Sequence, residues 1–482
     1  MLFLTHLAAA ALVGRVSRLV GRGLTRVVSV HGVLPVTGDI AIFVSEWLSA
    51  PANRLSTDYS SGAGRNHESM EVCMILEGEY PPDARVRKEA KALLASGHDV
   101  RVLTERTGEP RPSDGDVVSR RTVDGADVVV HTDAGSRMEE LRGTYRSVTA
   151  GTYPRWARRI RDRIAGGADV LHVHDLRLAR TALGVAGGVP VVVDLHENFP
   201  EAVVQYRRRD TPVETLTSPT KVARRLLRPK RHWDERLAEA LRSADHALAV
   251  VPEARERYLE AGAAPDRVSV VSNTVDVEWF DDCVDRFAPP ETEGFVLTYT
   301  GTLSGEHRGV DTAIRALSVL RRSVPDATLR IVGGRSKVKG RLEELAADLG
   351  VSDAIEFTGW VDEWTIPGHI AAADVGLVPH RATPHTNTTV PHKLFQYMAG
   401  GIPVLATETT AVARVVRDAE AGVVVPPEDP DSLAQAALAL EDEETARRFG
   451  ENARAAVQTT YGWHRDAERL RGVYDELEVA GS

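Results

Sequence analysis

The chain has 482 residues, a formal net charge of −10, 43% hydrophobic residues and two cysteines. That length suggests two or three domains, each able to bury a core without disulfides or metal staples, and two cysteines exclude a disulfide framework or a four-ligand zinc site. The acidic balance argues against general nucleic-acid binding, and the longest uncharged runs, 1–14 and 394–407, hold 14 residues each, short of the about 18–20 that span a bilayer.

Residues 1–69 stand apart: they hold no lysine and lack the strand–turn–helix rhythm of the later residues. Arg15, Arg18, Arg22 and Arg26 recur every three or four residues, as in a basic interfacial helix. The simpler reading is a poorly ordered extension, or a misassigned start, ahead of Met70. From Glu71 a rhythm begins. Val72–Leu76 reads as a buried strand and Glu77–Pro82 as a loop. Asp83 reads as the N-cap of a helix that carries Val86, Ala90, Leu93 and Leu94 and closes at Gly97. Further strands are predicted at Asp99–Leu103, Asp127–His131, Asp169–His174, Val189–Asp194, His246–Val251 and Val268–Ser272. Strands alternating with helices predict a parallel sheet covered on both faces.

Residues 285–293 break the pattern as a linker, and the rhythm then restarts. Strands are predicted at Phe295–Gly301, Ala327–Gly333, Ala354–Phe357, Asp374–Pro379, Pro403–Ala406 and Gly422–Val425. Helices are predicted at Asp311–Arg322, Lys339–Leu349, Pro391–Ala399 and Thr409–Arg417, and 430–479 reads as nearly all helix. The expected fold class is α/β, with two doubly wound parallel-sheet domains of similar size, 70–285 and 286–460. Ligands of such sheets bind beyond the carboxyl ends of the strands, so the natural site is a central cleft between the domains.

Several chemistries lack their motifs. No G-x-G-x-x-G follows the first strand of either domain, no Gly-Lys dipeptide occurs, and H-E-x-x-H and G-x-S-x-G are missing. Asp114-Gly-Asp116 and Asp429-Pro-Asp431 sit beside Gly or Pro, where Asp serves turns. Ser218-Pro-Thr-Lys221 matches S-x-x-K without a partner motif.

Other motifs are present. Leu171-His172-Val173-His174-Asp175 and Asp194-Leu195-His196-Glu197 put three histidines and three acids at two successive strand ends. In the second half, Gly301-Thr302-Leu303-Ser304-Gly305 comes after a strand and leads through Arg308-Gly309 into a helix. Such a turn offers backbone N–H groups and a dipole to an anion, and Arg308 adds bidentate donors. Thr388 and Thr389 precede a third element, Pro391-His-Lys-Leu-Phe-Gln-Tyr-Met398, in which Lys393 and Gln396 share a helix face near its N-terminus.

From about Met70 onward the chain resembles glycosyltransferase family 4, retaining nucleotide-sugar enzymes of the GT-B fold. The marks are Asp83-Ala-Arg-Val-Arg-Lys-Glu-Ala90, His172-Val-His-Asp175, Asp194-Leu-His-Glu197, Ser272-Asn-Thr-Val-Asp276, Arg308-Gly309, Phe357-Thr-Gly-Trp-Val361 and Pro391–Met398. The resemblance implies a metal-independent hexosyltransferase in cell-surface polysaccharide or glycolipid synthesis. Its partners would be a nucleotide-sugar co-substrate and a glycan or lipid-linked acceptor, with no cofactor. It also implies that helix 461–482 crosses back to the first domain. His196, Arg308 and Lys393 would form the catalytic set, with His196 a hydrogen-bonding group or weak base beside the sugar. Gly301, Thr302, Val361, Thr388, Thr389 and Gln396 would bind the donor; Gly78, Asp83, Asp175 and Glu197 would lie on the acceptor side. A same-fold nucleotide-sugar epimerase and a catalytically silent homologue are the alternatives.

The chain departs from the family at three places. Two glutamates eight positions apart are replaced by Thr388 and Gln396, the expected Gly-Arg reads Gly301-Thr302, and the loop 77–80 lacks a paired glycine. Residues 207–231 hold nine cations and two acids, +7 locally, interleaved with Val222, Leu226 and Leu227. Such a segment suits an anionic lipid surface, which predicts a cytoplasmic protein bound peripherally to the inner face of the plasma membrane.

Overall fold

The computed structural model describes residues 69–80, 83–105, 117–132, 151–208, 218–287, 290, 293–303, 305–334 and 338–481. The readings on 1–68, on Asp114–Asp116 and on 209–217 therefore lie outside the described residues.

Two sheets carry the fold. The first holds β1 (Glu71–Ile75), β2 (Asp99–Glu105), β3 (Val117–Val123), β4 (Ala126–Thr132), β5 (Val170–His174), β6 (Val191–Leu195), β7 (His246–Ala249) and β8 (Val268–Val270), in the order β3-β4-β2-β1-β5-β6-β7-β8. The second holds β9 (Val296–Thr300), β10 (Thr328–Val332), β11 (Ile355–Gly359), β12 (Val375–Val378), β13 (Val404–Thr407) and β14 (Gly422–Val425), in the order β11-β10-β9-β12-β13-β14. Both start at a central strand, wind outward, and return to wind the other way. The direction reverses between β1 and β5 in one sheet and between β9 and β12 in the other. Helices cover both faces, so strands such as β5 and β6 are buried along their whole length and read as apolar runs.

One strand escapes the parallel rule. β3 pairs antiparallel with β4, joined at Asp124 (φ 50°) and Gly125 (φ 90°). Two left-handed residues make the tight turn whose twist suits a hairpin. The sequence reading missed this strand and expected only a parallel sheet. The linker also starts later than expected, because helix Val277–Arg286 runs through Asp285.

The predicted N-cap is there. Asp83 Oδ1 accepts from the backbone N–H groups of Arg85 and Val86 at 3.1 Å each, and helix Ala84–Ala95 begins from it. The last three helices are Pro430–Ala439, Glu443–Thr459 and Trp463–Gly481. Trp463, Ala467, Leu470, Val473 and Tyr474 of the final helix enter the core of the first half with Val72, Met74 and Val86. The crossing is pinned where the Trp463 N–H donates to Val275 O at 2.9 Å. Nearby, Thr274 Oγ1 donates to buried Asp466 at 2.5 Å.

Candidate functional site

At the carboxyl edge of the first sheet, polar side chains collect on strands that are otherwise apolar. Asp194 is fully buried in β6. Its carboxylate accepts from Arg85 through Nε (2.8 Å) and Nη2 (2.7 Å) and pairs with His196 Nε2 at 2.6 Å. Burial opposes ionisation there, yet Arg85 and His196 hold Asp194 well below the usual carboxylate range. His174 Nδ1 lies 3.3 Å from Asp194 and 3.1 Å from His196 Nε2. Arg85 also touches Glu89 at 3.1 Å, whose pKa burial and Asp194 push up to about 8. His172 Nδ1 meets Tyr474 of the final helix at 2.7 Å.

Asp175 ends β5 with φ 66° and ψ 157°, a region otherwise left to glycine that costs on the order of 1–3 kcal/mol. Its N–H donates to Asp194 O at 2.8 Å, which fixes the kink. Its Oδ1 is buried without a partner among the described residues, and its Oδ2 is 3.9 Å from His196 Nδ1.

By residue type, Glu89, His172, His174 and Asp194 resemble a metal set, with ligating atoms within 4.8 Å of one another. The geometry does not fit an ion. The imidazoles of His172 and His174 are stacked at 17°, centroids 4.5 Å apart, so their in-plane lone pairs run side by side and do not converge. Asp194 is already engaged by Arg85 and His196.

The second half offers the opposite charge. β9 leads into Gly301 (φ 121°), where a Cβ would stand 3.5 Å from Lys393 Nζ. Lys393 is buried in helix His392–Ala399, its Nζ 3.3 Å from the Tyr299 ring centroid. Neither Lys393 Nζ nor Arg308 Nε has a hydrogen-bond partner among the described residues. Burial, and then Arg308, drive the Lys393 pKa well below its ordinary value. Arg308 is set by Gly309 (φ 65°), whose missing Cβ would fall 1.7 Å from Pro379 O at the end of β12. His380 adds a buried ring with Nε2 unpartnered among the described residues. Burial, with Lys393 and Arg308 close by, keeps it well below the usual histidine pKa.

The halves meet across these edges. Asn198 Nδ2 donates to Thr388 Oγ1 (2.9 Å) and Pro384 O (3.2 Å). Gln205 donates to Thr383 at 2.7 Å, and Arg87 pairs with Glu363 at 2.9 Å. Glu197 lies 4.0 Å from His385.

The predicted residues divide accordingly. His196 and Asp175 are brought together at one sheet edge, and Gly301 and Lys393 at the other. Thr302 is exposed beside Gly301. Glu197 faces the cleft contact with His385. Thr388 and Thr389 carry local contacts, donating to Pro384 O (2.8 Å) and His385 O (3.0 Å). Gln396 is buried in its helix. Val361 comes after Gly359 and the exposed Trp360 in an open pocket shared with Phe287 and Arg286. Gly78 accepts from Thr104 Oγ1 through its carbonyl, and Asp83 serves its cap. Sequence reasoning assigned no role to Arg85, Asp194, Asn198 or His380. Only Arg85 and Asp194 carried a signal, since both stood in motifs quoted for other residues.

A family model described as Glycosyltransferase Family 4 matches residues 84–279, and one described as Glycosyl transferases group 1 matches residues 294–443. The chain is 28% identical to a phosphatidyl-myo-inositol mannosyltransferase of Mycolicibacterium smegmatis, over 83% of this chain and 90% of the relative. It is 28% identical to a D-inositol 3-phosphate glycosyltransferase of Thermomonospora curvata, over 80% and 88%. Among solved structures it resembles sucrose-phosphate synthase from Thermosynechococcus elongatus, with TM-score 0.65 at 18% identity, over 85% of this chain and all of that one. That last likeness concerns the fold, which is GT-B.

Proposed function

Because the chain belongs to glycosyltransferase family 4 and is a glycosyltransferase, we propose that it transfers a sugar, with retention, from a nucleotide-sugar to a glycan or lipid-linked acceptor. The observation that carries this reading is the buried Lys393 amino group beside Arg308, with no carboxylate on either among the described ion pairs. Burial and the neighbouring Arg308 disfavour the charged form of Lys393, and a nucleoside diphosphate is the ligand whose negative charge would restore it. As the glycosidic bond breaks, negative charge grows on the leaving diphosphate. Lys393, Arg308 and the Gly301 turn would stabilise that charge from fixed positions. No step in that account calls on a metal. His196, at the edge of the opposing sheet, would meet the sugar or the acceptor hydroxyl.

The test is product analysis with GDP-, UDP- and ADP-sugars and phosphatidylinositol-containing vesicles. Acceptor-dependent release of nucleoside diphosphate, with a glycosylated product, is expected. Conversion of the sugar without acceptor would make the chain an epimerase, and binding without turnover would make it a silent homologue.

We also infer peripheral membrane docking through helix Pro219–Leu227, where Leu226 is 70% and Leu227 52% exposed next to exposed Arg225. No described helix is long and apolar enough to cross a membrane. Arg228, by contrast, is buried against Trp233, 5.4 Å from the ring centroid. Flotation with anionic vesicles should therefore weaken for Arg225→Glu with Leu226→Ser and Leu227→Ser. Equal flotation would exclude this surface.

A further inference from the structure

We propose that Asp194, itself fixed by Arg85, is the positioning residue that keeps His196 as a doubly protonated imidazolium, so that His196 meets substrate as a cationic hydrogen-bond donor and not as a base. The inference rests on the transferase reading for the identity of the substrate, but not for the charge state.

The tautomer follows from the contacts. Arg85 grips both oxygens of Asp194, at 2.8 and 2.7 Å, and keeps that buried carboxylate ionised. An ionised carboxylate only accepts. The 2.6 Å contact from His196 Nε2 is therefore a donated N–H. His174 Nδ1, 3.3 Å from the same oxygen, donates there as well. With Nε2 committed, the ring atom left for a ligand is Nδ1.

The second proton follows from the surroundings of Nδ1. Asp175 Oδ2 stands 3.9 Å away, held there by a backbone conformation normally left to glycine. His196 thus bonds Asp194 through Nε2 and has near Nδ1 the Asp175 carboxyl, which burial pushes up and the His196 charge draws back down. The wider balance points the same way. Asp194 on β6, Asp175 after β5 and Asp83 ahead of helix Ala84–Ala95 face this pocket against one guanidinium, Arg85, while Glu89 within that helix, pushed up to about 8, adds little negative charge near neutral pH. His172, His174 and Tyr258 are buried, and their pKa shifts leave them neutral. Burial opposes a charge on His196, yet Asp194 and then Asp175 raise it to about 10. A group charged throughout the neutral range cannot take a proton from an acceptor hydroxyl. It donates one hydrogen bond to substrate oxygen and adds a fixed positive charge opposite Lys393 and Arg308.

The test is nitrogen-15 NMR of histidine-labelled full-length protein between about pH 6 and pH 9.5 without substrate, with His196→Asn to assign the ring. Both ring nitrogens of His196 should stay protonated to about pH 9, and Asp194→Asn should lower the midpoint by about two units or more. In the same variant kcat should fall about 100-fold, while affinity for nucleoside diphosphate, a ligand of the other half, stays unchanged. A wild-type His196 that is neutral at pH 8 overturns the proposal, as does an unshifted midpoint in Asp194→Asn. The wild-type titration decides even where the variant does not fold. A protein that transfers no sugar but holds a charged His196 refutes the transferase reading alone. A working transferase whose His196 titrates near 6.5 refutes this inference alone.

Discussion

Replacing Lys393 by methionine is expected to stabilise the unliganded protein while removing its affinity for nucleoside diphosphates. The Lys393 amino group is buried, has no acceptor among the described residues, and gains only the face of Tyr299. A buried polar group without a partner costs about 1–3 kcal/mol, and the ring contact of an amine whose charge burial disfavours returns little of it. Methionine has similar reach, carries no charge, and keeps a sulfur–aromatic contact worth about 1 kcal/mol. The difference favours methionine by about 2 kcal/mol. In a cooperative unit of roughly 400 residues that raises Tm by about 2 °C. Loss of one charged contact to the diphosphate costs about 3 kcal/mol, or about 100-fold in Kd. Scanning calorimetry and titration calorimetry with UDP, GDP and ADP read the two effects separately. A Lys393→Met protein that is less stable by about 2 kcal/mol or more, yet binds nucleotide as before, would show that Lys393 is packing and not an anion site.

Gly309→Ala should be far more damaging than its size suggests, because the new Cβ would lie 1.7 Å from Pro379 O at φ 65°. The left-handed conformation alone costs about 1 kcal/mol, and the clash adds to it. A variant with wild-type melting and nucleotide affinity would contradict this. Asn198→Ala should cost about 1 kcal/mol in denaturant, and a double-mutant cycle with Thr388→Ala should give a coupling of about 0.5–1.5 kcal/mol; strict additivity would deny the cross-cleft bond. Stability should also depend on pH through His196. Its pKa is raised from 6.5 to about 10, so the folded state binds the proton more tightly than the unfolded chain. The contribution is full below about pH 6.5 and is lost as pH rises toward 10. The advantage of wild type over His196→Asn should shrink across that window, and a constant or growing gap would reject the assignment.

Much of the fold was legible because both sheets are read from local pattern. Strands such as Val191–Leu195 are apolar along their length, and helix Ala84–Ala95 announces itself by Asp83 and Gly97. The hairpin at Asp124-Gly125 carried its turn signal, but Val117–Val123 holds Ser119, Arg120, Arg121 and Thr122. A polar edge strand lacks the apolar run that marks the others. The anion site was half legible. Lys393 and Arg308 were found in sequence, but their want of partners is a fact of three dimensions. The least legible part was the company His196 keeps. Arg85 and Asp194 are 109 positions apart, and nothing local tells an arginine on a helix that its carboxylate lies across a sheet. Arg228 shows the reverse error: its place in the basic run suggests a surface for anionic lipid, but it is buried with its guanidinium over Trp233.

The chain passes between its two sheets twice, outward after β8 and back ahead of Trp463, and the two passes touch where Val275 meets Gly462. A single tether would let one half wander about the other in any direction. Two tethers clasped at one point act as a pivot, allowing rotation about a restricted axis and resisting sliding. A swing about that pivot would break the bond between Asn198 and Thr388 while hardly disturbing Thr274 and Asp466 beside the clasp. Substrate entry therefore need not loosen the joint that sets the register of the two catalytic edges.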